Sequence, residues 1–257
     1  MNDLASTASE PAAQPVDEPL SQWQRLLYVF FAPSKTFADI RRNASWWLPF
    51  LVTALVGYGF TYSVGRQVGW EKVVETTIQQ SPKQQERIAN MTADQAAAAK
   101  EGMVMFFRSI AYAGPLFSLM VAAVAAALLL ATMNFVFAGH AKFGQMMAVY
   151  YYATLPLNLK YLLAIVTLFA GVNTDQFKIQ NPIGSNIGYY LSPDLPGWLI
   201  TVATQIGIFT IWSLVLVALG GGIVAGVKRK QSGMAVAGWW ILLMVVTAGW
   251  AALASGQ

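Results

Sequence analysis

Cysteine is missing from all 257 residues. That excludes disulfides, a thiolate nucleophile and every cysteine-based metal site. Charge is scarce too: Lys, Arg, Asp and Glu make up 11% of the chain, against about 25% in a soluble domain. So few charges cannot clothe a globule of this size in water. Histidine occurs once, at position 140. A zinc site takes about three or four N, S or O ligands, and Asp39 is the only carboxylate expected near His140. No G-x-S-x-G elbow, H-E-x-x-H pair or Walker loop occurs, so the signatures of acyl transfer, zinc hydrolysis and nucleotide binding are all wanting. The expectation is a protein that is not an enzyme, with no catalytic, metal or cofactor-binding residues and no cofactor.

What fills the chain instead is apolar, 56% of it, and it comes in long blocks that need lipid as their solvent. The fold class expected is an all-α integral membrane protein of about five transmembrane helices with an N-terminal interfacial amphipathic helix. Residues 1–22 are acidic and rich in Ala, Pro and Ser. They read as a disordered tail rather than a signal peptide. Residues 23–45 form the interfacial part. Trp23, Leu26, Leu27, Phe30 and Phe31 recur with the spacing of one helix face, which turns Arg25 to water. Pro33 ends that helix, and a second follows with Thr36 and Asp39 at capping-box spacing.

Residues 46–257 form the membrane domain, with spans at 46–65, 110–137, 143–172, 198–223 and 234–254. Trp46 and Trp47 stand at the interface belt, and Pro49 falls in the first turn, where its missing N–H matters little. The stretch 66–108 carries six basic and five acidic residues and reads as a largely helical, solvated excursion. Gly114-Pro115 is a candidate kink. The segment 143–172 is too long for one span and too short for two with a loop. Pro156 removes a backbone hydrogen bond there, so a broken helix is expected.

An odd number of spans puts the termini on opposite sides. Arg25, Lys35, Arg41, Arg42, Lys142, Lys228, Arg229 and Lys230 all fall on the N-terminal side, so the positive-inside rule places the N-terminus in the cytoplasm. Nucleic acid is not an expected partner, because no basic fold or aromatic platform accompanies these charges.

Residues 135–156 read FVFAGHAKFGQMMAVYYYATLP and residues 26–50 read LLYVFFAPSKTFADIRRNASWWLPF. A glycine-bearing link, an aromatic and a glutamine, then a Tyr/Ala run closed by Leu-Pro resembles the Yip1 family. So does an F-x-P-x-x-x-F element ahead of a Trp-Pro pair. The polar stretch 66–108 looks like the bacterial branch. The resemblance implies an all-helical membrane domain without catalytic residues, in a bacterial inner membrane. It does not bring over the small-GTPase contacts of the eukaryotic relatives, since bacteria lack those partners.

Three groups of residues stand out. Phe30, Phe31, Gly139, His140, Lys142 and Phe143 are candidates for contact with a protein partner or lipid headgroups. Pro156, Asn158 and Lys160 are a candidate intramembrane polar site, because a charge inside a span costs about 2.5–3.5 kcal/mol and needs a reason. The blander readings of Lys160 are snorkelling to the far interface and bonding to carbonyls freed by Pro156. Gly222 and Gly226 have G-x-x-x-G spacing, which serves helix packing within the chain or in a homo-oligomer. The function expected is a membrane scaffold or adaptor that binds lipid and protein partners. The alternative is a small transporter or channel with its site near Pro156 and Lys160.

Overall fold

The computed structural model describes residues 18–171, 177–179, 181–192 and 194–255. The tail read at 1–22 lies outside the described residues up to position 17, as do 172–176 at the end of the third expected span.

Two short helices open the fold, α1 (Gln22–Phe31) and α2 (Pro33–Arg42). Ser21 and Gln24 close a reciprocal capping box on α1, satisfying amides that the first turn leaves free. Pro33 starts α2, where its fixed φ suits a first helical position. The expected cap at Thr36 and Asp39 is therefore not one: both lie inside α2 and are buried.

Next come α3 (Trp47–Gln67), α4 (Trp70–Gln79), α5 (Pro82–Ala89) and α6 (Ala93–Tyr112). The polar excursion is thus helical throughout most of its length. The chain continues through α7 (Gly114–Ala131), a π-helical turn at Thr132–Val136, α8 (Phe143–Ala153) and α9 (Leu155–Phe169). The last three helices are α10 (Gly197–Gln205), α11 (Ile208–Ala225) and α12 (Arg229–Ser255).

Among the described residues five helices are long and apolar enough to cross a membrane: Trp47–Gln67, Gly114–Val136, Phe143–Phe169, Ile208–Ala225 and Arg229–Leu253. Among the described residues the fold is all-α, with one isolated bridge between Asn186 and Gly207. The third crossing helix breaks at Thr154, directly ahead of Leu155-Pro156. The second starts at Gly114 rather than 110, because α6 ends at Tyr112 and Pro115 sits in the first turn of α7.

The fourth expected span, 198–223, is not one helix. It divides at Ile206-Gly207, where the Ile187 N–H donates to the Ile206 carbonyl and the Ile208 N–H to the Ser185 carbonyl, both at 3.1 Å. A Cβ on Gly207 would stand 2.9 Å from the Ser185 oxygen, so only glycine lets the two strands of backbone meet. Hydropathy cannot see this break, because the residues on both sides are apolar. The fifth crossing helix begins at Arg229, with its basic residues inside the first turn.

The centre of the bundle is α8, whose Met146, Met147, Ala148, Val149, Tyr151, Tyr152 and Ala153 are all buried. It packs among α2, α7 and α11. Helix α12 lies at the rim and leaves Ile241, Leu243, Val245, Val246 and Trp250 exposed, as a lipid-facing helix must. Trp46 stacks on Tyr151 at 5.9 Å and Phe50 meets the same ring edge-on at 5.6 Å, fixing the start of α3 to the centre.

The glycines of α11 decide how α2 docks. A Cβ on Gly220 would lie 2.7 Å from the Phe37 ring, and one on Gly222 would lie 3.2 Å from the Ser232 Cβ on α12. Gly226, its expected packing partner, has a different task. It sits at φ 71 and ends α11, donating its N–H to the Gly222 carbonyl, and nothing lies within 4 Å of its Cβ position. The G-x-x-x-G pair is therefore one packing glycine and one helix terminator.

Gly220→Ala should lower the thermal stability in mild detergent by about 1–3 kcal/mol through overpacking against Phe37, and Gly226→Ala by about 1–2 kcal/mol through its left-handed backbone. Gly57→Ala, whose new methyl meets nothing within 4 Å, should leave stability unchanged or raise it by up to about 1 kcal/mol. Tryptophan fluorescence melts of the three variants check that order.

Candidate functional site

At the end of the bundle where α1 and α2 dock, the inward face of α1 carries Arg25 and Val29, both buried. Arg25 is 1% exposed; its Nε donates to Asp39 Oδ2 at 2.6 Å and its Nη1 to the Asn43 carbonyl at 2.9 Å. Arg42 approaches Asp39 Oδ1 at 3.4 Å from the outside. The expectation that Arg25 faces water is thus overturned. Asp39, one face inward on α2, gives the guanidinium a partner that is better than solvent once both are enclosed. The same rotation leaves Trp23, Leu27 and Phe31 exposed, the last by 84%.

The candidate contact residues divide accordingly. Phe30 is half-buried and meets Trp212 edge-on at 5.7 Å, so it belongs to the packing. Phe31, about 100° further round the helix, is free. Gly139 is buried as well. Its N–H donates to the Met133 carbonyl at 2.9 Å, and a Cβ there would collide with the Met133 and Ala225 oxygens. The next amide, of His140, donates to the Ala225 carbonyl at 3.0 Å. Asn134 then holds Ala141 by both its N–H and its carbonyl. The link is a rigid seam from which the side chains of His140, Lys142 and Phe143 project into the open. Gln145 ties it to α2 by donating to the Arg41 carbonyl at 2.9 Å.

Lys35, Arg41, Arg42, Lys142, Lys228, Arg229 and Lys230 are all exposed. In α1, α2, the 138–143 link and the 226–230 turn, Asp39 is the only carboxylate, and it is buried. The outer surface of these segments is therefore predominantly basic, with Arg42 also reaching Asp39.

The intramembrane residues do not assemble as one site. Asn158 is buried and donates through Nδ2 to Thr53 Oγ1 at 2.9 Å. It lines a cavity of about 380 Å³ between α3, α7 and α9. Pro156 is buried away from that wall, and Lys160 is not on it either: its ammonium sits 5.9 Å from the centre of the Tyr161 ring. Residues two apart on a helix point about 200° apart, so Asn158 and Lys160 cannot share a face. Among the described residues no group of three or more His, Cys, Asp or Glu could hold a metal ion.

The family model of the Yip1 domain matches residues 27–251. The chain belongs to the Yip1 domain family. Its match runs from the middle of α1 to near the end of α12, so it takes in α2, the first four crossing helices and most of the fifth, and leaves Arg25 just outside. No curated protein and no solved structure matches the chain.

Sequence reasoning missed the Arg25–Asp39 pair, the Phe37–Gly220 contact and the Thr53–Asn158 bond. One signal was available: a lone acidic residue amid basic ones, Asp39, marks a charge with a dedicated partner.

Arg25→Leu and Asp39→Leu, taken singly, should each cost about 3–5 kcal/mol, because each strands a buried charge. The double variant should recover most of that loss. Melting of all three in the same detergent gives the coupling directly, and two additive losses would show that the charges act independently.

Proposed function

We propose that this Yip1 domain protein is a non-enzymatic membrane scaffold or adaptor, placed in a bacterial inner membrane with its N-terminus in the cytoplasm. The observation that carries this reading is the surface at the docked hairpin. Phe31, His140, Lys142 and Phe143 are exposed side chains on backbone that is held rigidly from behind. A surface fixed in advance binds without having to be ordered on contact. Basic residues surround it, which suits an acidic protein partner beside the headgroups of an anionic leaflet. The same basic residues support the cytoplasmic orientation.

In-cell crosslinking followed by mass spectrometry should recover a protein partner joined to α1, α2 or the 138–143 link. The triple change Phe31→Ser, Lys142→Glu and Phe143→Ser should cut that recovery at least roughly tenfold, the effect of losing about 1.4 kcal/mol, without moving the melting temperature. Unchanged recovery from the folded triple variant would rule this surface out. Orientation is read independently. The chain has no cysteine, so Ser34→Cys and Glu86→Cys each give a single reporter. An impermeant maleimide applied to intact cells should label Glu86→Cys and spare Ser34→Cys.

A further inference from the structure

The cavity between α3, α7 and α9 lies apart from the surface assigned to partner binding, and its chemistry points to a ligand of its own. Its walls are largely apolar, with Ala54, Phe60, Val64 and Pro115 contributing. At about 380 Å³ it falls within the roughly 300–1,000 Å³ of small-ligand pockets. Among the described residues no lysine, arginine or carboxylate lines it.

Several of its polar atoms are already engaged with the protein. Thr61 Oγ1 reaches the Ala111 carbonyl at 3.5 Å, and Ser118 Oγ lies 3.3 Å from the Tyr151 hydroxyl. Thr53 has a single hydroxyl hydrogen, and it goes to the Pro49 carbonyl at 2.9 Å. The Thr53 oxygen can therefore only accept, which forces the Asn158 amide to present Nδ2 to it. Asn158 Oδ1 is left turned the other way. Among the described residues it accepts from no protein group, although Asn158 is only 6% exposed, and it is not sealed off from the open space. A carbonyl oxygen in so buried a residue, with no protein donor, is best satisfied by a donor that reaches it through that open space.

We propose that this cavity binds a neutral, chain-like lipid molecule bearing a hydroxyl, with the hydroxyl donating to Asn158 Oδ1 and the chain lying against the apolar walls. The charge pattern sets the class. A carboxylate or phosphate would face an acceptor oxygen with no cation on the wall, and an ammonium would find no carboxylate. A plain hydrocarbon would fill the space and leave Oδ1 unpaired. A hydroxyl on an aliphatic chain meets both requirements.

The site can be blocked without touching Asn158. Gly57 lines the cavity and a Cβ there meets nothing within 4 Å, so Gly57→Leu fills the space while improving a helix position. The experiment uses the full chain in lipid nanodiscs with three photoreactive diazirine probes of equal length: a long-chain alcohol, the matching alkane and the matching fatty acid. The alcohol should label peptides from α3, α7 and α9. Gly57→Leu should reduce that labelling to background, and Asn158→Leu should weaken it roughly fivefold to tenfold, the share of one buried hydrogen bond. Alkane and fatty acid should label these peptides weakly in every variant. Undiminished alcohol labelling in folded Gly57→Leu would overturn the site. Equal labelling by alcohol and alkane would overturn the role of Asn158 and leave only a gap that packs lipid tails.

Discussion

A backbone amide or carbonyl inside hydrocarbon has no water to turn to, and each one left unpaired costs several kcal/mol. Three departures from regular helix next to or within the crossing helices obey that constraint. Where the second crossing helix ends in its π-helical turn, the chain does not simply unwind. Gly139 and His140 hand their amides to the Met133 and Ala225 carbonyls, and Asn134 satisfies Ala141 from both sides. Pro156 cannot donate into α8, and at that break the Thr154 N–H and hydroxyl both donate to the Tyr150 carbonyl, at 3.0 and 2.9 Å. At Gly207 the loop before α10 supplies the missing donors and acceptors. Glycine recurs at these places because the partner is itself backbone and must come close.

The same economy explains the buried ion pair. Arg25 and Asp39 sit on two helices too short to cross a membrane, against a bundle whose own surface there is apolar. Burying either charge alone would be prohibitive, whereas the pair with its added bonds to Asn43 and Arg42 is tolerable. The pair does more for geometry than for net stability. It sets the rotation of α1 and α2, brings Phe37 into the space above Gly220, and thereby decides which aromatic and basic side chains remain outside. The scaffold reading depends on that choice of faces.

The crossing helices differ in what surrounds them. Helix α8 is enclosed on nearly all sides, while α12 meets lipid along most of its length. Some polar side chains inside the bundle are paired, such as Thr53 with Asn158 and Trp239 with Thr132, while the buried Ser213 hydroxyl has no partner among the described residues. Asn158 differs in facing a cavity with only its Nδ2 matched by the protein.

The sequence by itself determined the membrane as solvent, the number of crossing helices, the break ahead of Pro156 and the family, since each follows from local composition, spacing or a residue's own covalent limits. It did not determine that 198–223 divides at Gly207, that Gly226 ends a helix while Gly220 admits Phe37, or that Arg25 turns inward. Those outcomes rest on which surfaces meet across long stretches of chain. An arginine's orientation depends on whether a carboxylate waits for it on another helix, and a glycine's role depends on what arrives in the space it leaves open. Only the tertiary structure brings those partners together.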